Sequence, residues 1–188
     1  MSKLLAIGTL FVTVTVAAPP ALRGPFIAAN GVTVWMQSYD EAQLLFEAVA
    51  PPIALRERNY ANVSGRRSAT PTVDVRLVGN IAYAGTQPRH YDHAYFASGQ
   101  QANLKIIDTG MLPCGDGSCA PSDDFVPCPD HCAYHERFVI ELPRRTVKKR
   151  AENGMLTIRL HAKRGDYEII KVPVAHLNAV REIAGREH

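Results

Sequence analysis

Apolar and polar side chains alternating at every second residue constrain this chain more than any other feature. Val73, Val75 and Leu77 alternate with Asp74 and Arg76, and Ile81 and Tyr83 resume the pattern. Phe138, Ile140 and Leu142 repeat it, and so do Leu156, Ile158 and Leu160. Successive side chains on a strand point to opposite faces, so such runs describe strands with one buried and one wet face. Further strands are expected over Val32 to Met36, behind the Asn30-Gly31 turn, and over Tyr167 to Val172, behind the Lys163-Arg164-Gly165-Asp166 turn. Tyr91 to Ala97 and Leu104 to Ile107 read as a hairpin closed by Ser98-Gly99-Gln100-Gln101. Gly79-Asn80 reads as a turn or bulge that interrupts its strand.

Helices are expected at three places. Ser38 and Glu41 have capping-box spacing, and Leu44, Leu45, Ala48 and Val49 would share one face of a helix over Glu41 to Val49, stopped by Pro51-Pro52. Pro143 opens a second, through Arg144 to Glu152, ending at Asn153-Gly154. Pro173 opens a third, with Val174, Leu177, Val180 and Ile183 along one side and Gly185 at its end. Residues 19–31 read as an extended linker or leading edge, and 56–71 as an exposed basic loop. No regular strand-helix-strand alternation occurs. The expectation is an α+β fold, mainly antiparallel β in a sandwich- or roll-like arrangement, with two or three short helices.

A chain of 188 residues is long enough for one domain with a proper core. The net charge of +3 selects no particular partner. Residues 1–18 combine Lys3, an apolar run and small residues before Pro19-Pro20, the outline of a secretory signal peptide. The same residues also fit an uncleaved anchor, although the run is short for a span, or a β-strand of alternating Val and Thr. Residues 19–188 are then a single globular domain with a cysteine-rich loop at 109–133. Any contact with a membrane is expected only through an uncleaved N-terminal segment.

That address decides how the four cysteines are read. Cys114, Cys119, Cys128 and Cys132 lie together in a loop rich in Gly and Pro. In an oxidising compartment, periplasmic or extracellular, they are disulfide candidates, and four cysteines allow three pairings. Each bridge would restrain the open loop, with a gain of about 2–4 kcal/mol. In a cytoplasmic protein the same cysteines, with His131 or His135 replacing one, would suit a tetrahedral zinc site, structural or hydrolytic. A catalytic thiol is disfavoured, because paired sulfurs cannot attack.

Other candidates are weaker. His90, Asp92 and His93 lie close together, but an odd spacing on a strand turns the two imidazoles to opposite faces. His135-Glu136 begins like a zinc-protease helix, yet Val139 stands where the second His is needed. Arg144, Arg145, Lys148, Lys149 and Arg150 form a basic contact surface for an acidic partner, with Arg56 to Arg67 as a lesser one. Nucleic acid is an unexpected target for an exported protein, and that reading would need residues 1–18 to stay in place as a strand of a cytosolic one. Arg164-Gly165-Asp166 reads as turn chemistry, Asn62-Val63-Ser64 as a glycosylation pattern, and Asp123, Asp124 and Asp130 lack calcium-loop spacing. The sequence thus points to an exported, envelope-type, non-catalytic binding or assembly module that presents a disulfide-pinned loop to a protein partner. No cofactor is expected in that reading, and zinc belongs to the alternative.

Overall fold

A computed structural model describes residues 22–40, 45–56, 59–68, 72–85, 87–112 and 132–186. Among the described residues, eight antiparallel strands form the larger sheet: β1 (Leu22–Ile27), β2 (Thr33–Asp40), β3 (Leu45–Val49), β4 (Ile53–Ala54), β5 (Tyr60–Arg67), β6 (Val73–Gly85), β8 (Leu104–Leu112) and β9 (Cys132–Glu141). Their order is β1-β2-β3-β5-β6-β9-β8, with β4 pairing β5 at its start. A second sheet has three strands, β7 (Tyr91–Phe96), β10 (Met155–Ala162) and β11 (Tyr167–Pro173), with β10 in the middle. Helix α1 spans Arg144–Arg150 and α2 spans Val174–Gly185. The expected class, antiparallel sheet with a few helices, is the observed one.

Both sheets turn their apolar sides to one core. Val75, Leu77, Ile81 and Tyr83 of β6 meet Tyr134, Phe138 and Ile140 of β9 there. The small sheet contributes Ala94, Phe96, Leu156, Ile158, Leu160, Ile170 and Val172, and α2 adds Leu177, Val180 and Ile183. Each fully buried Leu or Ile is worth roughly 1.5–3 kcal/mol over an exposed one. The alternation legible in the sequence is therefore the alternation that this core uses.

Several expectations change where tertiary pairing overrides a local signal. Leu45–Val49 is strand β3 and not the end of a helix; it pairs with β2 on one side and β5 on the other, and Ala48 and Ala50 go to the core. A five-residue apolar cluster fits either period, and pairing on both edges decides between them. Residues 60–67, expected as loop, are β5, a central strand. Its core-facing residues are Ala61, Val63 and Gly65, and with Ala61 and Gly65 so small, Val63 is left as a lone apolar signal. Gly65 has a reason: α2 crosses so closely that a Cβ there would lie 3.1 Å from the Val180 carbonyl oxygen. Residues 22–27, expected as an extended linker or leading edge, are the second of these: they pair with β2 as an edge strand. Gly79-Asn80 does not interrupt β6, because the Phe138 ring occupies the place of a side chain on Gly79, where a Cβ would be 2.3 Å from Cζ.

Another correction concerns Tyr91 to Ile107. The turn closes as expected, with Phe96 N donating to the Gln100 carbonyl at 2.9 Å and Ala102 N to that of Ala94 at 2.8 Å. The two strands then part: β7 joins the small sheet beside β10, and β8 joins the large sheet beside β9. The second helix is also shorter than expected. It ends at Arg150, and Asn153 and Gly154, both with positive φ, make a two-residue turn between Glu152 and Met155.

Candidate binding face

The small sheet buries one side and shows the other to solvent. Register places its outward side chains in rows. His93, His161 and Tyr167 lie opposite one another across β7, β10 and β11, and Tyr95, Arg159 and Ile169 form the next row. Thr157 and Lys171 follow on β10 and β11. Arg159, Lys171, Tyr167 and Ile169 are exposed, with Tyr167 at 46% and Ile169 at 41%. These row positions include no carboxylate, and Asp92, next to His93 on β7, is the acidic group at their edge.

The rings touch. His93 and Tyr95 are parallel within 4° at 6.1 Å, Tyr95 meets His161 edge-on at 5.6 Å, and His161 lies 6.3 Å from Tyr167. Two guanidiniums flank Tyr167, Arg159 at 5.5 Å and Arg56 at 5.7 Å from its centroid. Such contacts hold a cation at an aromatic surface without neutralising it. A cavity of about 390 Å³ opens among Tyr95, Thr157, Arg159, His161 and Ile169.

Buried carboxylates hold this face in place. Glu168, pointing inward from β11, accepts from Arg56 Nε at 3.0 Å and from Arg56 N at 3.2 Å, and Arg56 Nη2 donates to the Tyr167 carbonyl. Hydrogen bonding and attraction to Glu168 raise the Arg56 pKa further and keep its charge. Glu136 on β9 is 1% exposed and accepts three bonds: Tyr83 Oη at 2.5 Å, His90 N at 2.9 Å and Tyr91 N at 2.9 Å. Arg89 N donates to the same Tyr83 hydroxyl at 2.7 Å, and its guanidinium sits 4.3 Å over that ring. Burial, then the bond to Glu136, pushes the Tyr83 phenol pKa well up. This node ties the loop before β7, where His90 has a φ of 56°, to the large sheet.

Of the residues singled out from sequence, His93 and Arg56 belong to this face and the others fall elsewhere. Cys114, Cys119, Cys128 and His131 lie outside the described residues, as do Asp123, Asp124 and Asp130 and the whole of 1–18. Cys132 begins the backbone of β9, and its side chain is outside the description. His135 sits on β9 with Nε2 3.2 Å from Asp108 Oδ2, over Gly110, and Glu136 points to the opposite side of the sheet. His135-Glu136 is thus no catalytic pair. Among the described residues no three metal-ligating side chains converge. His93 Nδ1 and Asp92 Oδ1 are 2.6 Å apart, whereas His90 lies in the loop before β7.

The basic run forms α1. Val147 is buried, Arg144, Arg145, Lys148 and Lys149 are exposed, and Arg150 is held by two bonds to Gln100. Arg144 also lines a cleft of about 1030 Å³ with Arg66, Arg76, Lys105 and Arg181, but Asp74 and Glu141 line it too, directly opposite Arg66 and Arg76 in the sheet. Arg164-Gly165-Asp166 is a hairpin turn with Gly165 at a φ of 87°. Asn62 Nδ2 donates to the Ala50 carbonyl from within β5, so the glycosylation pattern is on a strand and not a loop.

Apart from His93, the outward rows of β7, β10 and β11 left no mark in a sequence pattern used only to find the core. Reading its other phase, His93 and Tyr95, then Thr157, Arg159 and His161, then Tyr167, Ile169 and Lys171, shows rings and cations on the wet side. Comparison with known proteins finds no matching family model, no matching curated protein and no matching solved structure.

Proposed function

We propose that this protein is a non-catalytic binding module, and that the outward face of β7, β10 and β11 receives an acidic partner. One observation carries the proposal: rings share an exposed sheet face with Arg159 and Lys171, and the outward positions of its paired rows hold no carboxylate, Asp92 beside His93 being the acidic group at its edge. Exposed rings on a rigid sheet are stiff and amphipathic, and they lose little entropy when a ligand settles on them. Arg159, already held against Tyr167, needs little further ordering to meet an anion, whereas Arg56 on the other contact of that ring is paired with Glu168.

The cysteine-rich loop joins the end of β8 to the start of β9, and it stays in the proposal as a second, disulfide-pinned contact on an exported protein. Titration with acidic polymers (polyglutamate, a sulfated polysaccharide, a single-stranded oligonucleotide) tests the face while the ring resonances of His93, His161 and His176 are followed. At least one polymer should shift His93 and His161 saturably and leave His176 of α2 unmoved. If no polymer moves the first two at low salt, the face is not a binding surface.

A further inference from the structure

Resting on that reading of the face, we infer that its ligand is a single-stranded polynucleotide whose bases stack on the rings and whose phosphates meet Arg159. Three features on the small sheet favour this class over other polyanions. Tyr95 and His93 offer parallel rings two residues apart on one strand, 6.1 Å between centroids, so neighbouring flat groups can be received in succession. Arg159 stands between Tyr95 and Ile169 in its row and one step from His161 on its own strand, which alternates charge with apolar and aromatic surface as a single strand alternates phosphate with base. The cavity beside Tyr95 and Ile169 is open on the face and edged by Thr157, which gives an unpaired base a polar group to bond. An acidic peptide would use the cations and leave the rings idle. A duplex hides its bases, and a flat sheet face reaches only its backbone. Unpaired bases on aromatic platforms, with cations along the backbone, are the general solution for single strands.

Such a ligand goes with the cytosolic alternative for residues 1–18, so the inference rests on the face alone and not on the exported, disulfide-pinned loop; it is tested on purified protein, where the address plays no part. Fluorescence anisotropy is measured with labelled single-stranded DNA and RNA 12-mers, the matching duplex and a labelled sulfated polysaccharide, over a salt series. Single strands should bind more tightly than the duplex. Tyr95→Ala should weaken them about tenfold, within the range expected for losing one stacked base, at an unchanged melting temperature. Arg159→Gln should lower the salt slope by about 0.7, one phosphate contact on a single strand. Tyr60→Ala, exposed on β5 of the large sheet, should change nothing. Absence of oligonucleotide binding at low salt, equal binding of duplex, or indifference to Tyr95→Ala overturns the inference. If the polysaccharide alone binds and needs Tyr95 and Arg159, the polynucleotide is wrong and the face survives. If no probe depends on either residue, the face falls with it.

Discussion

Glu136→Gln tests the node that fixes the small sheet against the large one. The wild-type carboxylate accepts from three donors, one oxygen serving Tyr83 and His90 and the other serving Tyr91 N. The amide has nearly the same shape and only one oxygen. Placed at Oε1, that oxygen keeps Tyr83 and His90, and the new NH2 faces the Tyr91 N–H, donor against donor. Tyr91 is 3% exposed, so water does not readily replace the lost acceptor. An unsatisfied buried N–H costs about 1–3 kcal/mol, and exchanging two charge-assisted bonds for neutral ones costs about 1 kcal/mol each. Relief from burying a charge offsets part of this. The expected net loss is about 2–4 kcal/mol, a large part of a typical domain stability of roughly 5–15 kcal/mol. Urea unfolding should show a lower midpoint at unchanged slope, and the Tyr91 amide should lose its protection from hydrogen exchange. A loss under about 1 kcal/mol with that amide still protected would refute the argument that Glu136 anchors β7.

Tyr83→Phe should cost about 1–2 kcal/mol at neutral pH through the lost bond to Glu136. The native state raises the Tyr83 pKa above its ordinary 10.0, so its contribution is full below pH 10 and is lost as pH climbs beyond it; the variant's alkaline unfolding limb, followed by circular dichroism, should be flatter than wild type. Gly79→Ala should destabilise by about 1–3 kcal/mol by forcing a Cβ into the Phe138 ring, and Phe138→Leu in the same chain should cost less than in the wild type; additive losses in denaturant unfolding would contradict the contact. For the cysteine loop, thiols of native-source protein should react with alkylating agent only after reduction. Four reactive thiols on unfolding, together with bound zinc, would establish the metal alternative.

How much of this was legible depended on side-chain size. Where the core-facing residues are large, as in Leu156, Ile158 and Leu160 or Val174, Leu177, Val180 and Ile183, the period alone located a strand or helix correctly. Where they are small, as in Ala61 and Gly65 of β5, burial leaves little hydropathic trace, and a central strand looked like a loop. Leu45 to Val49 failed for another reason: five residues cannot separate a period of two from one of 3.6, and the neighbours on both edges settled it. The binding face was half legible, because its residues occupy outward positions of strands already recognised.

By itself the sequence determined the antiparallel, sheet-dominated class, the Pro-initiated helices and which phase of each strong strand goes inward, because these follow from local periodicity and backbone stereochemistry. Only the tertiary structure decided that Tyr91–Phe96 leaves its hairpin neighbour for β10, that Glu136 turns inward to hold the loop before it, and that His93, His161 and Tyr167 line up across three strands. Pairing between segments distant along the chain depends on which edges meet and how the shared core fills, and neither is encoded within any one strand.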